Sequence, residues 1–98
     1  YTLLKVHLIT GKSHQIRAHL QSIGHPIVGD TKYGTDEDNT LFRQKLYLRH
    51  QLLHAWKLEL GAPDYLPKLY HHKVFYAQIP TEFQKILAAL SIPTDKII

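Results

Sequence analysis

The sequence predicts an α+β fold: a mixed, largely antiparallel sheet with flanking helices, in a single domain over residues 1–98. Three observations predict it. Residues 2–10 and 52–60 alternate apolar and polar side chains as half-buried strands do. Residues 14–23 and 81–90 instead place apolar side chains at helical spacing. The last two strands follow one another as hairpin partners, and no strand-helix-strand repeat appears that would require a parallel sheet.

In residues 2–10, Leu4, Val6 and Leu8 share one face and Lys5 and His7 the other. Gly11-Lys12-Ser13 breaks that period. Ile16, Leu20 and Ile23 then fall at i, i+4 and i+7, with Ser13 placed to cap the helix start and Gly24 to end it. His25-Pro26 cannot continue a helix, and Gly29-Asp30 through Gly34 reads as an ordered turn bracketed by glycine. The acids Asp36-Glu37-Asp38 are expected to be the most mobile stretch, and residues 41–49 to form a short basic helix. In residues 52–60, His54, Trp56, Leu58 and Leu60 share a face. Residues 61–72, rich in proline and tyrosine, read as the loop of a long hairpin returning through 73–79, where Phe75, Ala77 and Ile79 share a face. Thr81 and Gln84 match a capping box behind Pro80, and Phe83, Ile86, Leu87 and Leu90 make an apolar stripe. Trp56, Phe75 and that stripe are the expected core.

Hydrophobic residues make up 44% of the chain and charged residues 20%, a globular balance that excludes a disordered tail. The apolar runs are a few residues long, far short of the roughly 20 that cross a bilayer as a helix, and no signal-like segment opens the chain. Without cysteine there are no disulfides, zinc-cysteine sites or thiol nucleophiles. The chain also lacks methionine and opens inside its first alternating segment, so it reads as a portion of a longer protein, with residues needed for chemistry expected upstream of Tyr1.

The net charge of +4 suggests a polyanionic partner. Its distribution says more than its sum. In residues 1–34, Lys5, Lys12, Arg17 and Lys32 are set against Asp30 alone. The densest group of chemically able residues is Gly11-Lys12-Ser13-His14-Gln15-Ile16-Arg17-Ala18-His19. On a helix, His14, Arg17 and Gln21 lie to one side and Ile16, Leu20 and Ile23 to another, so a core-anchored helix can project the Arg17 guanidinium. Such a group suits a carboxylate or phosphate, and the amides at the helix start with Lys12 and Ser13 add a second anion-binding element. On spacing alone, an N-cap with solvated charges is the favoured reading.

At this stretch the sequence resembles a known family. Thr10-Gly11-Lys12-Ser13-His14-Gln15-Ile16-Arg17-Ala18-His19-Leu20, followed by Gly24-His25-Pro26-Ile27-Val28-Gly29-Asp30 and Tyr33-Gly34, is similar to the third conserved block of the RluA-type RNA pseudouridine synthases. Leu53-His54-Ala55 and the alternation after it resemble the family's next block. The likeness runs from Tyr1 to about Leu90, and the Ser13-His14-Gln15-Ile16-Arg17 style points to the RluA, RluC and RluD branch.

The resemblance implies isomerisation of uridine to pseudouridine in structured RNA, most naturally large-subunit ribosomal RNA, with no metal or organic cofactor. It implies that residues 1–98 are the C-terminal portion of one catalytic domain, inactive alone, in a cytoplasmic enzyme. In the family an aspartate of an upstream Arg-Leu-Asp motif attacks the flipped nucleotide, and a strand tyrosine stacks on the base and assists proton removal. What maps here is Arg17, the catalytic-site arginine that would pair with that aspartate, hold it ionised and fix its aim. Lys12, His14 and Gln15 are the implied RNA-gripping residues. The family more often has arginine and threonine where this chain has Lys12 and Ser13; serine keeps the hydroxyl, and lysine trades a fork for a point charge.

The remaining candidates read as structural. Eight histidines invite a metal site, but His14 and His19 point apart on a helix and no ligand spacing fits, so none is expected. His54 reads as a satisfied sheet histidine. Asp30 reads as a turn residue bonding its own backbone and not as a nucleophile, while Tyr33 either packs under the turn or touches RNA. The rival to the enzyme reading is a non-catalytic RNA-binding module of the same family; a third is an interaction domain whose basic residues are ordinary surface.

Overall fold

A computed structural model describes residues 1–9, 11 and 14–94. The chain forms two units, Tyr1–Leu53 and His54–Ile98. Three α-helices and one two-stranded antiparallel sheet are the regular elements of the described residues apart from a single 3-10 turn. The α+β class holds, with a sheet much smaller than the alternation predicts.

In the first unit the expected strand over residues 2–10 does not form; residues 1–8 take no regular structure, and Thr10 lies outside the described residues. Alternation prepares a segment for a sheet, but a strand exists only where a neighbour completes its hydrogen-bond ladder. Leu4, Val6 and Leu8 are accordingly 56%, 47% and 50% exposed.

Helix α1 spans Gln15–Ser22. His14 occupies its cap position with φ 58° and no capping side-chain bond, while Ser13, the expected cap, lies outside the described residues. At the other end the glycine stop is seen. Gly24 has φ 82°, its N–H donates to the Gln21 carbonyl, and the His25 N–H donates to the Leu20 carbonyl, the paired bonds of a Schellman ending.

Helix α2 spans Asp36–Leu46, earlier than the expected 41–49. The acids expected to be mobile are its first turn. Thr35 accepts a bond from the Asp38 N–H at 3.2 Å, and Asp36, Glu37 and Asp38 sit at the positive end of the helix dipole, with Arg43 and Lys45 at the negative end. Charge order along the chain therefore favours a helix where charge density alone suggested a loop. Phe42 and Leu48 are buried, and Tyr1 packs edge-on against Phe42 with ring centroids 4.9 Å apart.

In the second unit, strands β1 (Lys57–Glu59) and β2 (Val74–Tyr76) pair antiparallel with Leu58 opposite Phe75. Further backbone bonds from Ala77 N–H to Trp56 O and from Leu60 N–H to Lys73 O extend the hairpin beyond the ladder. The loop between carries the 3-10 turn Lys68–Tyr70 behind Pro67. Phe75 is exposed, not core, because a ribbon of two strands has no layer of its own to cover both faces. Helix α3 spans Thr81–Ala89 and buries Ile86 and Leu87. The capping box does not form: Pro80 takes the cap position, Thr81 is already helical, and the Gln84 amide instead donates to the Ile79 carbonyl at 2.7 Å.

Candidate functional site

The turn after α1 is built around Asp30, a carboxylate with 0% exposure. One carboxylate oxygen accepts from the Lys32 and Tyr33 backbone N–H groups, both at 2.9 Å, closing the turn. The backbone-bonding role expected of Asp30 is therefore present, but it is half of what the residue does. Arg17 Nε donates to Oδ2 at 2.7 Å and Arg17 Nη2 to Oδ1 at 2.8 Å, a two-point grip between a helix and a turn 13 residues apart.

Helix α2 locks the turn from behind. The Asn39 side chain accepts from the Gly29 N–H at 3.0 Å and donates to the Asp30 carbonyl at 2.8 Å. Gly29, at φ 83°, has no room for a side chain, since a Cβ would overlap the His50 carbonyl. Gly34 closes in on the Asp30 carbonyl in the same way and donates its N–H to it at 2.9 Å. The Leu52 N–H completes the frame with a bond to the Val28 carbonyl.

This arrangement fixes the electrostatics. The Arg17 guanidinium, ahead of the two backbone amides, holds the Asp30 carboxyl down to about 2 against a burial effect that pushes the other way. The Arg17 value is raised in turn, first by its bond to Asp30. Both groups are charged across the physiological range.

Tyr33 gathers the rest of the site. Arg17 Cζ lies 5.3 Å and Lys32 Nζ 5.4 Å from its ring centroid, and the His14 ring meets it edge-on at 5.8 Å. His14 Nδ1 stands 3.5 Å from the Tyr33 hydroxyl, a contact at the limit of hydrogen bonding. The structure thus brings Arg17 and His14 together around one aromatic ring. Gln15 lies one position on, where helical geometry turns it away from Arg17, and it lines a groove with Val6, His7, Leu8, Ile9 and Ile16. Lys12 lies outside the described residues.

Among the described residues no group of three or more histidine, aspartate or glutamate side chains is arranged to hold a metal. His54 Nε2 meets the Ala77 carbonyl at 3.1 Å and His71 Nε2 the Leu66 carbonyl at 2.8 Å, so both are engaged with backbone. No helix among the described residues is long and apolar enough to cross a membrane.

Sequence reasoning did not find the Arg17–Asp30 pair or the Asn39 clamp. The signal for the first was present: one acid set against four bases in residues 1–34, beside a glycine in a turn. Asn39 gives no such signal, because its role depends on where α2 lands.

Comparison with known proteins agrees with the family resemblance. The chain is 52% identical over 63 residues to ribosomal large subunit pseudouridine synthase D of Nitrosomonas europaea, covering 63% of this chain and 18% of that protein. It is 41% identical over 90 residues to an uncharacterized RNA pseudouridine synthase of Chloroflexus aurantiacus, covering 92% of this chain and 25% of the relative. It is 41% identical over 63 residues to tRNA pseudouridine synthase C of Vibrio parahaemolyticus, covering 64% of this chain and 26% of the relative. The chain therefore spans between 18% and 26% of the length of these relatives. No family model and no solved structure matches it. The motifs around His14 and Asp30, the order in which they occur and the identity to relatives from three organisms lead to one conclusion: over the residues it carries, this chain belongs to the RluA-type RNA pseudouridine synthases.

Proposed function

We propose that this chain is the C-terminal portion of the catalytic domain of a cytoplasmic enzyme that converts uridine to pseudouridine in structured RNA. In that reaction the N1–C1′ glycosidic bond breaks, a C5–C1′ bond forms, C5 gives up its proton and N1 gains one. The observation that carries the reading is Arg17, a charged fork held on one edge by Asp30 at the surface of a helix. An aspartate nucleophile elsewhere in the domain needs such a partner to stay ionised and aimed. Arg17 takes that role here, and Lys12, His14 and Gln15 grip the RNA backbone near the extruded base, whose unstacking costs a few kcal/mol.

Ribosomal RNA is the favoured substrate, because the relative of 52% identity is named for the large ribosomal subunit. Transfer RNA is the second reading, favoured by the relative named for tRNA at 41% identity. Tritium release from RNA labelled at uridine C5 tests the activity, using the full-length protein with ribosomal and transfer RNA in parallel. Release from ribosomal RNA is expected, together with pseudouridine in the product. Salt-sensitive RNA binding without release would favour a non-catalytic binding module instead.

A further inference from the structure

We propose that Asp30 is a positioning residue for the reaction: by holding Arg17 along one edge of its guanidinium, it presents the adjacent edge to a second carboxylate, the nucleophile. The inference rests on the pseudouridine synthase reading above. It concerns a residue which turn chemistry alone would account for.

A guanidinium carries five N–H groups in one plane. The bonds to Asp30 use one on Nε and one on Nη2, so three are not taken by that carboxylate. Planarity places a second parallel pair, on Nη1 and Nη2, along the neighbouring edge, where another carboxylate can be received two-pronged. Arginine can bridge two acids in this way. Lysine, a point charge on a flexible stem, cannot fix two partners in one plane.

The grip is stiff where it needs to be. The Asp30 carboxylate is itself fixed by the Lys32 and Tyr33 amides, its backbone by Asn39 and Gly34, and the Arg17 side chain is only 13% exposed. The Tyr33 ring restrains the same guanidinium from a third direction.

The test is a double-substitution cycle in the full-length enzyme, reading the single-turnover rate of pseudouridine formation and RNA affinity. Asp30→Asn keeps an oxygen for the turn amides and removes the charged grip. It should slow the reaction by about 10- to 100-fold, the usual effect of a misplaced catalytic group, with RNA affinity unchanged. In an Arg17→Ala background, Asp30→Asn should slow the reaction no further, because Asp30 acts through Arg17. A merely structural Asp30 would give losses that multiply, and an Asp30→Asn enzyme of wild-type rate would equally overturn the proposal. If Asp30→Asn fails to fold, Asp30→Glu decides: a folded enzyme slowed at least about tenfold with RNA affinity kept, and slowed no further by this change in the Arg17→Ala background, supports the two-edged grip, and wild-type turnover refutes it. A wild-type protein that forms no pseudouridine removes the enzyme reading and this inference together, an outcome distinct from the others.

Discussion

Replacing Asp30 with asparagine separates the charge of the buried turn from its shape. The substituted side chain keeps a carbonyl oxygen for the Lys32 and Tyr33 amides but meets Arg17 with a neutral amide. The carboxyl value in the folded protein is about 2 against an ordinary 3.8. At about 1.4 kcal/mol per unit, that difference contributes about 2 kcal/mol of stability at neutral pH. Because the folded-state value is the lower one, the contribution is fully present above the ordinary value and is lost as pH falls through about 2. About half should remain at about pH 3. Urea unfolding of wild type and Asp30→Asn at neutral pH and at about pH 3 reads this directly. The variant should be less stable by about 2 kcal/mol at neutral pH, with the gap roughly halved in acid. A gap that is absent at neutral pH, or that stays constant down to about pH 3, would refute the claim that the ion pair's charge carries it.

Two further substitutions test the frame around the pair. Gly29→Ala places a Cβ against the His50 carbonyl at a left-handed backbone position and should destabilise by about 2 kcal/mol or more, read as a lower urea midpoint with unchanged slope. Asn39→Ala removes both bonds that α2 makes to the Gly29-Asp30 backbone and should lower stability by about 1–3 kcal/mol; amide exchange at Gly29 should rise by more than at residues of α3.

What the sequence made legible was local. The ending of α1 could be read from Gly24 because a left-handed C′ position has a residue preference strong enough to show through any context. The stripe of α3 was equally readable, and Ile86 and Leu87 are buried as its period requires. The errors came where a second segment decides. Leu4, Val6 and Leu8 have the right alternation, yet no strand forms without a neighbour to pair with. Thr81 and Gln84 have the right spacing for a capping box, but with Pro80 at the cap Gln84 reaches back to the Ile79 carbonyl instead. At the site, the turn role of Asp30 was foreseeable from its place beside Gly29. Its bond to Arg17 was not, because the distance between a helix and a turn is set by how they fold back on each other, which no spacing rule encodes.

The site also has a kinetic character. Arg17 and Asp30 are separated by 13 residues, and Asn39 lies 10 residues beyond Gly29. Loops of this size close on a timescale of about 10–100 ns, far faster than distant strands find one another. The guanidinium, its buried counter-charge and the asparagine that locks them can thus assemble from a single short stretch, ahead of slower pairings elsewhere. Within residues 1–98, the bonds that join Arg17, Asp30 and Asn39 need no residue beyond Asn39, so this corner of the site is specified by its own stretch of chain.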